Sequence, residues 1–209
     1  MTQRVSITYA YDAYCGWCYG FSPALHEFVE ANADRVTLRV ISGGLFTGSR
    51  VAPISSYPHI PDAVARITEL TGVSFGDPFL EVLRQGSAVM DSVDAAAGLA
   101  ALRRRDRDVT LTAAEALQRA WFLDGRSLSD EQVYRDTAAA LGLDADAVAR
   151  DYTDPRIRAE ARADFDQTHR LGVTAYPTLI LHTNHGNHPL GDATCTSQDL
   201  SAALDRYLR

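Results

Sequence analysis

The sequence is poor in cysteine, in long apolar runs and in surplus positive charge. Only three of its 209 residues are cysteine, which excludes a small scaffold held together by several disulfides. No run is long and apolar enough to cross a bilayer. The 20 lysine and arginine residues face 27 aspartate and glutamate residues, so the net charge is −7, and the one basic run, 103–105, is interpreted as a solvated helix end. We therefore expect neither nucleic acid nor membrane as a partner, because both bind clustered cations.

The amino terminus lacks the pattern of a secretory leader. Residues 1–4 lead directly into an apolar stretch, without a charged region, an apolar core and a small-residue cleavage site. With 46% hydrophobic residues, the chain can bury a core without covalent staples. Together with the scarcity of cysteine, these features predict a cytoplasmic protein that meets reducing partners.

The chemistry that is present centres on two cysteines. The segment Cys15-Gly16-Trp17-Cys18 lies between a strand-like run over residues 5–11 and a helical pattern that extends to about residue 31. A sulfur at the start of a helix meets unpaired N–H groups and the positive end of the dipole, which favour a thiolate. The second sulfur lies one turn further on the same face, where Cβ atoms are roughly 5–6 Å apart, so a disulfide can close. This spacing predicts a redox-active dithiol.

On the residues alone, two other interpretations of the pair stay open. In one, Cys15 and Cys18 are packed as small buried hydrophobes. In the other, they are half of a structural zinc site. The remaining zinc ligands would then come from the later part of the chain, from Cys195, His182, His185 and His188. The three histidines cluster around a predicted turn, and we interpret them as exposed turn residues.

The hydrophobic periodicity changes twice along the chain. Residues 4–11 and 36–41 read as strands flanking a helix over 16–31, which predicts a parallel βαβ unit. The last part predicts a hairpin of strands 178–183 and 187–190 and a final helix over 197–208. Between them, we expect helices over 62–71, 92–105, 112–123, 129–141, 144–149 and 154–171. Thr112 and Ser129 are predicted to begin capping boxes.

Two segments together carry a resemblance to a known family. Cys15-Gly16-Trp17-Cys18 after the first strand, and 172–179 (Gly-Val-Thr-Ala-Tyr-Pro-Thr-Leu) before a later one, resemble the DsbA-like branch of the thioredoxin superfamily, and most closely its FrnE-like disulfide oxidoreductases and predicted protein-disulfide isomerases. The resemblance implies an α/β thioredoxin-like fold with an inserted all-helical domain. Residues 1–55 and 160–209 would form the thioredoxin-like domain, and residues 56–159 the helical insertion.

The resemblance also implies an activity, that of a protein-disulfide oxidoreductase or isomerase. Cys15 would be the exposed nucleophile, Cys18 the resolving thiol, and Pro177 a cis-proline beside them. The chain departs from the best-known DsbA pattern, since Gly16 and Trp17 replace Pro-His and remove a cationic neighbour of the thiolate. That departure weighs against a very strong oxidant.

The expected partner is a protein or peptide that carries a thiol or a disulfide. The main-chain edge at Tyr176 and Pro177 would bind it as an extended strand. Trp17 offers either a flat apolar surface for substrate or a cover over the helix start that shields Cys18. A reductant or an oxidant must recycle the dithiol, and glutathione is a candidate for that redox partner. We expect no cofactor other than the redox-active Cys15–Cys18 disulfide.

Other functions and other residues were weighed beside this one. Kappa-class glutathione transferases and 2-hydroxychromene-2-carboxylate isomerases share the inserted-helix architecture, but they typically use serine where Cys15 stands, and Cys18 has no assigned role in them. A non-catalytic binding module is the third hypothesis. We interpret Asp12 as a turn residue rather than a proton shuttle, Cys195 as a free thiol, and Gly43 with Gly44 as a chain turn. His26 is interpreted as a partly exposed helix residue rather than an acid or base.

Overall fold

A computed structural model describes residues 4–208, so the predicted domain ends at 1–3 and 209 lie outside the described residues. The strands are β1 (Val5–Tyr11), β2 (Val36–Ser42), β3 (Ala52–Pro53), β4 (Val89–Met90), β5 (Thr178–Thr183) and β6 (Gly186–Pro189). The helices are α1 (Gly16–Ala31), α2 (Ile60–Thr71), α3 (Asp77–Gln85), α4 (Ser92–Arg105), α5 (Thr110–Phe122), α6 (Glu131–Ala140), α7 (Ala145–Thr153), α8 (Pro155–Arg170) and α9 (Ser197–Tyr207). Short 3-10 turns cover Gly48–Arg50 and Ile54–Ser56.

The first and last parts of the chain build one mixed sheet in the order β2-β1-β5-β6. Strand β1 pairs in parallel with β2 and antiparallel with β5, and β6 pairs antiparallel with β5. The parallel pair is connected through α1, which confirms the predicted βαβ unit. Because β1 has a neighbour on each edge, its last five residues are all buried. The sheet therefore brings the end of β1 and the start of β5 side by side, although 161 positions separate Cys15 from Tyr176.

The segment between β2 and α8 contains the predicted helices and three elements that the pattern did not reveal. These are α3 and the short antiparallel pair β3–β4. Helix α3 begins after Gly76, has Pro78 in its first turn and ends before Gly86. Because glycine and proline flank it so closely, its nine residues gave no helical pattern in the sequence. The division at residues 55–56 and 159–160 stays a prediction, and α8 runs continuously across the second boundary. Within residues 4–208, no helix has both the length and the apolar surface needed to traverse a bilayer.

Two predicted capping boxes are wrong. Helix α5 begins two residues before Thr112, so this threonine already lies inside the helix. Asp130 rather than Ser129 caps α6, because its carboxylate accepts the N–H of Gln132, the second residue of that helix. A capping box does form at the start of α9, where Thr196 is the N-cap. The sequence rule located helix starts to within two residues but did not identify the side chain that caps them.

A buried ion pair joins the helical segment to the sheet. Arg103 on α4 donates to Asp164 on α8 at 2.8 Å, and the same carboxylate accepts the main-chain N–H of Ser42 at 3.1 Å. The interpretation of Arg103 as part of a solvated helix end is therefore wrong. Because Asp164 is buried, its charge needs this partner and the hydrogen bond from β2.

Candidate active site

The two cysteines lie at the junction between β1 and α1. Cys15 is the N-cap residue of α1, and its Sγ accepts the main-chain N–H of Cys18 at 3.4 Å. Both side chains are free thiols. The prediction that the first sulfur caps the helix is confirmed, and the second thiol follows one turn later on the buried face.

The two thiols differ in accessibility, but less than the sequence suggested. Cys15 retains 6% of its surface and Cys18 retains none. The expectation of an exposed Cys15 is therefore wrong in degree, because the loop before β5 lies against it. Burial, followed by the neighbouring Cys15, raises the pKa of Cys18 well above its usual value. Cys15 remains the thiol that a partner reaches first.

The loop before β5 supplies the third part of the site. The main-chain carbonyl of Tyr176 lies 3.4 Å from Sγ of Cys15 and accepts a hydrogen bond from that thiol. The Tyr176–Pro177 peptide bond is cis. Both residues are half-buried, so part of this edge faces solvent beside the sulfur. The structure thus brings Tyr176 and Pro177 to Cys15, while their role toward substrate stays a prediction.

Trp17 lies between the cysteines and is half-buried against the main core. The packing role considered for it is therefore present. Its side chain also keeps part of its surface exposed, at the position between the two cysteines in sequence. Whether that surface contacts substrate stays a prediction.

Asp12 is the charged side chain placed deepest beside the dithiol. Its Oδ1 accepts the N–H of Tyr14 at 3.0 Å, so the predicted turn contact is present, and this contact does not exclude a second role as a proton shuttle. Its Oδ2 accepts the N–H of Leu45 at 2.9 Å, from the loop after β2. Burial raises the pKa of Asp12 to about 6, against the lowering effect of these hydrogen bonds. Its charge in turn raises the pKa of Cys18, although a hydrogen bond from the Asp12 main chain lowers it.

Tyr9 on β1 belongs to the same buried region and was missed by the sequence reasoning. It is 2% exposed, and its ring packs near Phe21 of α1, with ring centroids 6.3 Å apart. Within residues 4–208 its hydroxyl has no partner of good hydrogen-bond geometry, although it lies close enough to the Cys18 thiol for a weak hydrogen bond. Burial, then the neighbouring Cys18 and Cys15, raise its pKa well above its usual value. A tyrosine in an apolar strand reads as core, so nothing in the sequence separated it from its neighbours.

The remaining candidate residues lie in other parts of the molecule. Of the clustered histidines, His182 is hydrogen-bonded to Thr8 and Asn187, each at 2.7 Å, and the ring of His188 lies tilted against a tyrosine of α9. Both are half-buried strand residues, so the interpretation as exposed turn residues holds only for His185. His26 is half-buried and faces a glutamate of α5 at 3.2 Å. Cys195 is a partly buried free thiol whose sulfur accepts a main-chain N–H. Among residues 4–208, no group of three or more histidine, cysteine, aspartate or glutamate side chains could hold a metal ion.

Comparison with protein families decides the identity of the fold. A family model described as the DSBA-like thioredoxin domain matches residues 6–201. The chain belongs to this family. Among proteins with curated descriptions, none matches it in sequence. The predicted resemblance to the DsbA-like branch, the thioredoxin-like fold with a helical insertion and the oxidoreductase class are all confirmed.

Solved structures of DsbA-like proteins agree. The cytosolic disulfide reductase DsbM from Pseudomonas aeruginosa is 30% identical over 98% of each chain, with a TM-score of 0.81. Its structure with GSH is 30% identical over 98% of this chain and 99% of the other, with a TM-score of 0.79. Reduced DsbA1 from Neisseria meningitidis is 15% identical, covers 97% of this chain and 84% of its own, and has a TM-score of 0.57, which supports the fold alone. The chain is a DsbA-like thiol–disulfide oxidoreductase, and the glutathione-transferase alternative is not favoured.

Proposed function

We propose that this DsbA-like enzyme is a cytoplasmic disulfide reductase in which Cys15 is the nucleophile and Cys18 the resolving thiol. The observation that carries the assignment is the geometry of the pair. One sulfur accepts an N–H at a helix start and keeps some accessible surface, and the other is fully buried one turn later. The similar DsbM is named a cytosolic disulfide reductase, which supports both the direction and the compartment.

The reaction proceeds in two exchanges. The Cys15 thiolate attacks one sulfur of a substrate disulfide; that S–S bond breaks, and the other substrate sulfur leaves as a thiolate that takes a proton. Cys18 then loses its proton and attacks the Cys15 sulfur, which releases the second substrate thiol and leaves a Cys15–Cys18 disulfide. Asp12, with a pKa of about 6 and a carboxylate buried beside Cys18, is the base we assign to that proton. The substrate is reduced by two electrons and the dithiol is oxidised by two.

The surroundings of the pair favour a reductant over an oxidant. A strong oxidant such as DsbA is one whose reduced form is specially stabilised. Here Gly16 and Trp17 supply no charge between the cysteines, and the Asp12 carboxylate disfavours a thiolate at Cys18. Apart from the N–H at the helix start, the reduced form thus gains little from its neighbours. We expect a potential nearer to the value of about −270 mV typical of thioredoxin than to the value of about −120 mV typical of DsbA.

The substrate side of the site is the Tyr176–Pro177 edge. The Tyr176 carbonyl already lies beside Cys15, where an extended peptide would align its disulfide with the sulfur. Phe21, Pro177 and Leu179 lie together beside that edge but enclose no space for a substrate side chain, so we assign the substrate contact to the main-chain edge itself. Trp17, half-buried and placed between the two cysteines in sequence, is the other residue that we assign to substrate contact. This arrangement supports a peptide or protein substrate over a small molecule enclosed in a deep cavity.

Glutathione is the recycling reductant that we propose. Two molecules of glutathione reduce the Cys15–Cys18 disulfide through one mixed disulfide and leave as oxidised glutathione, so thiols and electrons balance. The structure of DsbM with GSH supports this assignment. No separate cofactor is required by these steps.

Insulin reduction with glutathione as the only reductant tests the proposal. The wild type and Cys195→Ser should reduce insulin at equal rates, because Cys195 takes no part in the exchanges. Cys15→Ser should be inactive, and Cys18→Ala should accumulate a mixed disulfide on Cys15 that mass spectrometry detects. A Cys15→Ser variant as active as the wild type would end the assignment.

A further inference from the structure

Gly43, the first of two adjacent glycines after β2, makes room for a ring from the loop before β5. The sequence reasoning interpreted Gly43 and Gly44 as a chain turn, but neither has a positive φ, so their backbone conformation does not require glycine. A Cβ on Gly43 would lie 2.3 Å from Cζ and 2.4 Å from Cε1 of Tyr176. Glycine is needed at position 43 because a ring occupies the place of its side chain.

The Tyr176 ring spans the end of the sheet. Since the strands run in the order β2-β1-β5, a ring that starts before β5 and reaches the loop after β2 must pass over the end of β1. Along this path the ring packs against a small apolar cluster on one face of the sheet, formed by Ala10, Ile41, Val173 and Ile180. The ring thus connects the loop before β5, which covers Cys15, to the loop after β2.

Hydrogen bonds hold the main chain under the Tyr176 ring on both sides of Gly43. The N–H of Gly43 donates to the carbonyl of Tyr11 at 2.5 Å. One residue earlier, the Ser42 N–H donates to the buried Asp164, and two residues later the Leu45 N–H donates to the buried Asp12. Because these bonds hold the main chain, a Cβ at position 43 would displace the ring rather than the loop.

The loop before β5, residues 171–177, makes few other hydrogen bonds. In the part of the chain that the structure describes, the N–H groups of residues 174–176 make no hydrogen bond. On one side of them the Val173 N–H donates to the carbonyl of Thr168. On the other side the Thr178 hydroxyl donates to the carbonyl of Ala175. The seat of the ring therefore restrains the Tyr176 carbonyl on one side, and the pairing of Thr178 with Ala10 of β1 restrains it on the other. That carbonyl lies 3.4 Å from Sγ of Cys15.

We propose that Gly43 is a positioning residue of the reductase site: its missing side chain seats the Tyr176 ring and so holds the Tyr176 main-chain edge against Cys15. This inference rests on the proposed roles of Cys15 as nucleophile and of the Tyr176 edge as substrate guide. It links the loop after β2 to a reaction in which that loop contributes no reacting atom.

The test is a double-mutant cycle read by alkylation of Cys15 with iodoacetamide, quantified on the Cys15 peptide by mass spectrometry. Gly43→Ala should displace the ring, loosen the loop before β5 and speed alkylation about 3- to 10-fold. Tyr176→Ala should give the same increase, and the double variant should stay within about 2-fold of Tyr176→Ala alone. Gly44→Ala is the matched control, since a Cβ there meets Thr47 at 3.1 Å and Phe165 at 3.3 Å. It should alkylate at the rate of the wild type.

A second readout separates positioning from general loosening. Gly43→Ala should react more slowly than the wild type with a disulfide-bonded peptide while its midpoint of thermal unfolding stays close to that of Gly44→Ala. An unchanged alkylation rate in Gly43→Ala, or increases that multiply in the double variant, would overturn the inference. If Gly43→Ala does not fold, a Tyr176→Ala variant that alkylates at the wild-type rate overturns it. A wild type that never reacts with peptide disulfides would instead refute the proposed function, since the alkylation cycle does not depend on it.

Discussion

Replacing the buried carboxylate beside the dithiol should change how stability depends on pH. Asp12 has a pKa of about 6 in the folded protein, against an ordinary value of 3.8. The folded state therefore binds this proton more tightly than the unfolded state, so the contribution of Asp12 to stability falls as the pH rises from about 4 to about 6. The full difference of about two pKa units corresponds to about 3 kcal/mol, and about 2 kcal/mol of it develops between pH 4.5 and pH 7.5.

The assay is urea unfolding of the wild type and Asp12→Asn at both pH values, with both cysteines kept reduced. The stability of the wild type relative to Asp12→Asn should be lower at pH 7.5 than at pH 4.5 by about 2 kcal/mol. Two main-chain N–H groups donate to the Asp12 carboxylate, and asparagine offers an oxygen to only one of them. In Asp12→Asn that loss is the same at both pH values. Asp166→Asn, at an exposed position, is the control and should show no such change. A pH-independent difference for Asp12→Asn would refute the burial argument.

Three further outcomes follow from the same contacts. Tyr9→Phe removes a buried hydroxyl whose one weak partner is the Cys18 thiol, so urea unfolding should show a stability equal to the wild type or higher by up to about 1 kcal/mol. A clear loss would show that the contact with Cys18 stabilises the fold. Arg103→Met leaves the buried Asp164 charge unpaired and should cost about 3 kcal/mol, whereas Arg66→Met, in an exposed pair, should cost nothing measurable. An Arg103→Met loss no larger than that of Arg66→Met would contradict this reading. Cys18→Ala should keep glutathione on Cys15 after exposure to oxidised glutathione, which intact-mass measurement detects; loss of the adduct as fast as in the wild type would argue against Cys18 as the resolving thiol.

The sequence predicted the parts of the site that depend on local order. A cysteine that follows a strand and begins a helix must cap that helix, so the position of the sulfur and its N–H donor could be predicted from four residues. The change of hydrophobic period likewise predicted the βαβ unit, the helical middle and the final hairpin. The resemblance, not the periodicity, indicated which late residue reaches the dithiol.

The parts that could not be predicted depend on contacts between distant segments. The loop after β2 supplies an N–H to Asp12 and a seat for the Tyr176 ring, and neither follows from the pattern Gly-Gly-Leu. A turn was the simplest explanation of Gly43 and Gly44, yet the close approach of the Tyr176 ring explains Gly43. Arg103 was read as solvated because its charged neighbours lie next to it in sequence, whereas its true partner lies 61 positions away.

The reduction potential of the dithiol tests the central claim most directly. The protein would be equilibrated with defined ratios of reduced and oxidised glutathione, and the Cys15–Cys18 pair scored by thiol labelling and mass spectrometry. The account predicts a reversible two-electron couple with a potential nearer to about −270 mV than to about −120 mV. A potential at the oxidising end, or a pair that never forms its disulfide at any ratio, would contradict it.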